Sequence, residues 1–260
     1  GATAGAWRLR RQPFDAALVF QVSPVTSAIP ALVQRWLKGV PVSMWILDLW
    51  PETLKAVGVL RNERGLALVG RVVSAIYRRC DHILVQSRAF VPSVKRYGGD
   101  DADVRYFPAW VEGVFEDAAE PEVAPELAPY GDAFNILFAG NIGEAQDFPA
   151  ILAAADRLRG RRDIKWIVLG DGRAAESVRA EIAARGLGDR VFMLGRFPVE
   201  RMPSFFAGAG ALLVSLKAEP VFAMTIPGKV QSYMSAGKPI IAMLDGEGGR
   251  VVTEAGAGLV

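Results

Sequence analysis

The chain of 260 residues carries one cysteine, Cys80, and one histidine, His82. A single thiol excludes an internal disulfide framework and any multi-cysteine metal site, and a single imidazole excludes a histidine-rich metal cage. His82 opens the apolar run Ile83-Leu84-Val85 and reads as a strand-end residue ahead of a catalytic base. No apolar run reaches the ~20 residues that a membrane-crossing helix requires. The first seven residues lack the charged and long apolar regions of a secretory signal. A cytoplasmic location is the expectation. What the chain does have is 51% hydrophobic and 22% charged residues, enough for one large core or two modest ones.

The net charge of +2 hides an asymmetry. Residues 1–115 hold 15 Lys/Arg against 9 Asp/Glu, and residues 116–260 hold 15 against 19. Two readings of the basic half are open. Clusters at Arg8/Arg10/Arg11, Arg78/Arg79 and Lys95/Arg96 suit peripheral contact with an anionic membrane, and they equally suit a solvated face. Nucleic acid is disfavoured as a partner, because no aromatic residues interleave with these clusters as stacking platforms.

Short aliphatic runs alternate with helical patterns along the whole chain, which predicts parallel sheets wrapped by helices in an α/β fold. Strands are expected at 16–20, 42–47, 83–86 and 104–107, with helices near 27–37, 63–79 and 88–97. A second series has strands at 134–139, 164–169, 191–194, 211–215 and 239–243, with helices near 148–159, 174–185, 200–207 and 229–235. Between the series, residues 116–132 are rich in Glu, Ala and Pro without apolar periodicity and read as a linker. The expectation is two doubly wound, Rossmann-like domains, 1–115 and 133–260, facing a cleft. Each is shorter than such a domain usually needs, and the final Gly258-Leu259-Val260 reads as the start of an edge strand, so both ends look truncated.

The most informative segment is Thr225-Ile226-Pro227-Gly228-Lys229, continuing through Val230-Gln231-Ser232-Tyr233-Met234-Ser235-Ala236-Gly237-Lys238-Pro239. A Pro-Gly turn, a short helix beginning at Pro227 or Gly228 and a glycine stop would aim backbone N–H groups and one lysine at a single point, where a diphosphate fits. The segment resembles the nucleotide-sugar loop of family 4 glycosyltransferases of GT-B fold, especially those that build bacterial lipopolysaccharide, capsule or exopolysaccharide. In that subgroup a Pro-Ser-Lys or Pro-Gly-Lys precedes a Tyr-Met/Leu-Ala-x-Gly-Lys-Pro run.

Other segments extend the resemblance. Gly140-Asn141-Ile142-Gly143-Glu144-Ala145-Gln146 follows the first strand of the second series, where an open parallel sheet gathers its ligands. The subgroup has a similar Gly-Asn-Ile-Gly, which implies that Asn141 and Gln146 stand where other members carry Arg and Lys for the diphosphate. Gly170-Asp171-Gly172-Arg173-Ala174-Ala175 satisfies a dinucleotide fingerprint, but the next strand ends in Gly195 instead of an acid, and the fingerprint sits on the wrong strand. It resembles the Gly-Asp-Gly turn of the transferases, with a packing role. Gly195-Arg196-Phe197 matches the segment that holds the nucleobase, although Phe197 reads equally as core. Asp48-Leu49-Trp50-Pro51-Glu52 puts two carboxylates at a strand end. Either Pro51 and Glu52 start a helix, or Asp48 or Glu52 orients the acceptor hydroxyl, as a similar motif in the subgroup implies. Gln86-Ser87 and Pro108-Ala109-Trp110 resemble further cleft segments.

One departure stands out. Many family members carry two glutamates eight positions apart around the loop. Here Met224 and Ser232 take those places, leaving Ser232 for a ribose hydroxyl and Glu219 as a substitute acid. The resemblance implies a metal-independent, cofactor-free, retaining transferase that moves a hexosyl or N-acetylhexosaminyl group from a nucleoside-diphosphate sugar, UDP-sugar favoured, to a lipid-linked or growing cell-surface polysaccharide. Lys229 and loop N–H groups would stabilise the leaving diphosphate. A sugar-nucleotide 2-epimerase and a catalytically silent scaffold of the same fold are the competing readings.

Overall fold

The computed structural model describes residue 9, residues 11–115 and residues 121–260. Arg8 and Arg10 of the basic cluster, and residues 116–120 of the expected linker, lie outside the described residues. By its internal packing the chain divides into two compact units, one of residues 1–109 with 219–226, the other of 110–218 with 227–260.

The first unit runs β1 (Ala17–Gln21), α1 (Ile29–Lys38), β2 (Val42–Ile46), α2 (Glu52–Ala56), α3 (Glu63–Tyr77), β3 (His82–Val85), α4 (Val91–Gly98) and β4 (Val104–Tyr106). Its four strands are parallel and adjacent in chain order. Each helix has a local reason to start or stop. Proline in its first turn and Gly39 at φ 71° bound α1, with Arg35 and Lys38 against its negative end. Asn62 caps α3 by accepting from Arg64 N at 2.9 Å. Asp81 binds Arg35 at 2.6 Å and accepts from Val42 N at 2.8 Å, which ties α1 to the start of the buried β2.

The second unit runs β5 (Phe134–Ala139), α5 (Phe148–Arg157), β6 (Ile164–Leu169), α6 (Ala175–Ala184), β7 (Val191–Gly195), α7 (Met202–Ala207) and β8 (Ala211–Ser215). After α8 (Pro220–Ala223), which belongs to the first unit, it continues with α9 (Lys229–Ser235), β9 (Ile240–Met243), α10 (Gly246–Glu254) and β10 (Gly258–Leu259). All six strands are parallel in the order β7-β6-β5-β8-β9-β10, the doubly wound order in which the winding reverses between β5 and β8. Ile136, Phe138, Leu152, Trp166, Val168 and Val178 fill one face of this sheet.

Two boundaries differ from the sequence expectation. The described part of the expected linker is packed. Residues Pro125–Tyr130 form a 3-10 helix, Ala124 and Leu127 are buried, Ala124 N donates to Ser204 O at 3.0 Å, and Glu126 pairs with Arg201 at 2.8 Å. Its prolines and alanines disguise the one leucine that matters, which fills the space left by Gly208. Residues 219–226, read as part of the second domain, instead pack in the first unit, where α8 lies against α2 and Val221, Phe222 and Ile226 are buried.

Candidate functional site

In the second unit the three strand-end turns after β5, β6 and β7 are layered on one another. Gly140 N donates to Leu169 O (2.9 Å), Ile142 N to Asp171 O (2.8 Å), Ala174 N to Ile142 O (3.0 Å), and Gly170 N to Gly195 O (2.7 Å). The layering requires bare backbone. A Cβ on Gly170, whose φ is 130°, would stand 1.8 Å from Gly140 O, and one on Gly172 would stand 2.3 Å from Ile142 O. The Gly-x-Gly pair is therefore a close-packing device. Beside the stacked turns opens a cavity of about 940 Å³ lined by Gly140, Asn141, Asp171, Gly172, Arg196 and Phe197, among others.

Lys229 is the first residue of α9, behind the Gly228 cap. Its Nζ is 3.7 Å from the centroid of the Phe138 ring and would be 3.0 Å from a Cβ on Gly140. That nitrogen is buried and has no hydrogen-bond partner, although the residue as a whole is half-buried. Burial pushes its pKa down to about 7. The negative face of the Phe138 ring works in the opposite sense and favours the ammonium. A desolvated, unpartnered amine beside a side-chain-free backbone turn is arranged to receive an anion.

The residue that positions Lys229 escaped the sequence reading. Tyr233, one turn along α9, is fully buried. Its hydroxyl accepts from Ala139 N at 2.9 Å and donates to Ala139 O at 3.3 Å. This pins α9 to the end of β5, next to Gly140. Its signal was available, since Lys229 and Tyr233 are four apart and share a helix face. A Tyr233→Phe variant strands the Ala139 N–H in the core and is expected to lose about 1–3 kcal/mol in urea unfolding.

The neutral side chains expected on the phosphate meet each other within the turn. Gln146 Oε1 accepts from Gly143 N (3.1 Å) and Asn141 Nδ2 (3.4 Å), so the two amides brace the turn, and of these residues Asn141 lines the cavity. Ser215 Oγ donates to Gln146 O (2.7 Å), Lys217 N to Ala145 O (2.8 Å), and Lys217 pairs with Glu144 (3.1 Å). These contacts bridge β8 to the loop after β5 where the winding reverses, and the cavity opens on the other side, over β6 and β7. Arg196 is exposed at its rim, while Phe197 packs on the buried Phe205 with ring centroids 4.6 Å apart. Phe197 is thus both core and lining. Pro227 O accepts from Val230 N, and Ser232, half-buried in α9, accepts through its carbonyl from Ala236 N.

The remaining candidates lie in the first unit. Asp48 accepts from Trp50 Nε1 at 3.0 Å, and burial raises its pKa against the opposing hydrogen bonds of Thr53 and Trp50. Glu52 begins α2, one of the two readings left open for the Pro51-Glu52 pair. Its Oε1 accepts from Ser93 Oγ at 2.6 Å, and its Oε2 is buried without a partner. Glu219 is exposed, its carbonyl capping α8, and Thr225 Oγ1 donates to Val221 O at 2.9 Å, while Ile226 is core. These three make local structural contacts in the first unit, unlike Pro227, Gly228, Lys229 and Ser232.

Comparison with known proteins agrees with this architecture. The family model described as "Glycosyl transferases group 1" matches residues 133–260. The Pseudomonas aeruginosa protein named "Probable glycosyltransferase WbjE" is 29% identical over 232 residues, which cover 82% of this chain and 55% of that one. WcaI of Escherichia coli K12, named for colanic acid biosynthesis, is 25% identical over 77% of this chain and 50% of its own. The chain thus spans about half the length of the curated relatives it matches. Among solved structures, Anabaena HepE, determined with UDP and glucose, superposes with a TM-score of 0.73 at 14% identity, over 96% of this chain and 64% of that one. Sucrose-phosphate synthase of Thermosynechococcus elongatus superposes with a TM-score of 0.77 at 15% identity, over 99% and 63%. Residues 133–260 thus match the group 1 glycosyl transferase family, and the chain shares the GT-B fold of these solved transferases.

Proposed function

We propose that the chain is the core of a retaining glycosyltransferase that takes a hexosyl or N-acetylhexosaminyl group from a UDP-sugar and passes it to a lipid-linked or growing cell-surface polysaccharide. The observation that carries this reading is Lys229, a buried amine without a partner beside the bare Gly140 turn. The leaving diphosphate supplies the missing partner. Lys229 and turn N–H groups neutralise it without a metal ion or cofactor, and the cavity over β6 and β7 holds the nucleoside, with Arg196 and Phe197 at its base. Asp48, with its raised pKa, orients the acceptor hydroxyl. HepE with UDP and glucose supports the donor class, and the naming of WcaI for colanic acid biosynthesis supports the acceptor class. The protein works in the cytoplasm, its basic first unit against the inner face of the plasma membrane. Among the described residues, no helix is long and apolar enough to cross a membrane.

The titration of Lys229 tests the donor site. With a pKa of about 7 when free, raised once a diphosphate sits beside it, the lysine takes up a proton on binding above pH 7. UDP affinity should weaken by about tenfold per pH unit between pH 7.5 and 9, with proton uptake visible by calorimetry in buffers of different ionisation enthalpy, and EDTA should change neither result. A pH-independent affinity, or no UDP binding at all, removes Lys229 from the site.

A further inference from the structure

The first unit has a cleft of its own, about 560 Å³, between α2, α3 and α4. Its wall combines a carboxylate, Glu52, with two arginines, Arg71 and Arg96, and the phenol of Tyr97. The Glu52 carboxylate is only half satisfied, because Ser93 occupies Oε1 and Oε2 is sealed in without a donor. A buried carboxylate oxygen in that state calls for an O–H or N–H from outside the protein. Arg71 and Arg96 are exposed and make no ion pair among the described residues, whereas Lys55 on the same wall is neutralised by Glu63 at 2.9 Å. Two guanidinium groups without a carboxylate partner among the described residues, Arg96 hydrogen-bonded to Tyr97, favour an oxyanion in the cleft they line, and the fork geometry of arginine suits phosphate best. Glycine at position 70 lets the Tyr97 ring pack close on α3, since a Cβ there would stand 3.0 Å from it.

We propose that this cleft is a second ligand site, which takes a sugar phosphate by accepting a sugar hydroxyl at Glu52 and holding the phosphate with Arg71 and Arg96. The same chemistry is offered by a free sugar phosphate and by a sugar carried on a lipid phosphate. That the ligand takes part in the transfer reaction rests on the transferase reading, whereas the binding itself does not. Among the described residues, two apolar side chains on α3 stand exposed, Leu68 one turn before Arg71 and Val72 directly after it, which suits the lipid-borne form.

The test uses the Lys229→Met protein, so that the second-unit cavity cannot answer for the cleft. Glucose 1-phosphate titrated into it should bind at least tenfold more tightly than glucose or inorganic phosphate. Arg71→Gln and Arg96→Gln should each weaken that binding tenfold or more, and Glu52→Gln should weaken glucose 1-phosphate but not inorganic phosphate. Both arginines are exposed, so their variants should melt with the parent. In a second arm, vesicles carrying a polyisoprenyl phosphate sugar should retain the protein in an Arg71-dependent way. Retention there without binding of the soluble phosphate assigns the site to lipid-borne sugar. Equal retention by phosphatidylglycerol vesicles, binding that survives both arginine changes, or no binding in either arm overturns the proposal. UDP titration of the parent protein is read separately, so failure of the donor site and failure of the cleft are distinguishable.

Discussion

Replacing Lys229 by methionine should raise the stability of the protein and abolish its binding of UDP. The native lysine has a pKa of about 7 against 10.5 in the unfolded chain, so between those values the unfolded state binds more protons and stability rises with pH. Below pH 7 the full penalty of burying the ammonium is present, on the order of 2–4 kcal/mol after the Phe138 ring has offset part of it. Methionine fills similar space without charge and should therefore melt about 5 °C or more above the parent at pH 6, the gap closing toward pH 10. A lysine kept for structure would show the reverse, a less stable methionine variant. Thermal melts at two pH values, paired with UDP calorimetry, separate the two cases. Higher stability with retained UDP binding would detach the buried amine from the donor.

The second large effect belongs to Gly170. A methyl group there would stand 1.8 Å from the Gly140 carbonyl oxygen, at a φ of 130° that side chains rarely adopt. Backbone has to move, and the turn that moves is the one facing Lys229. Gly170→Ala should lose 4 kcal/mol or more, about the largest effect expected of one methyl group, together with donor binding. Gly160→Ala supplies the control. Nothing lies within 4 Å of its Cβ position, and its stability should stay within about 0.5 kcal/mol of the parent. Equal stability of the two alanine variants in urea would show that the turns are not closely stacked.

The strands of the second unit were largely legible because a parallel sheet buries both faces and writes itself as continuous apolar runs. Residues 134–139, 164–169 and 211–215 fall where Phe134–Ala139, Ile164–Leu169 and Ala211–Ser215 are found, and the edge strand anticipated at the end pairs with β9. Elements with poor local propensity were not legible. Helix α10 contains Gly246, Gly248 and Gly249, and the last is required because a Cβ would stand 2.8 Å from Leu244 O. The 3-10 helix Pro125–Tyr130 is held by Leu127, a tertiary contact that composition does not announce. In the site, Lys229 stood out as the one cation of its loop. That its amine would be buried and unpartnered depends on Phe138, and that α9 would be pinned depends on Tyr233 reaching Ala139 across the fold. Gln146 was read as a ligand donor from its place in a motif, and that its side-chain oxygen also braces the turn at Gly143 N was not legible there.

Residues 219–226 sit in sequence between β8 and α9 but belong to the first unit, where α8 packs against α2. This constrains inheritance. Recombination that exchanged the amino-terminal half of such a gene at the residue 133 border of the family match would separate α8 from the helix it packs against. Hybrids should survive only where both patches come from one parent, and the two should drift together through descent. Co-variation between Glu52–Ala56 and Pro220–Ala223 is therefore the signature to seek in an alignment of relatives, in preference to any signal within the matched segment alone.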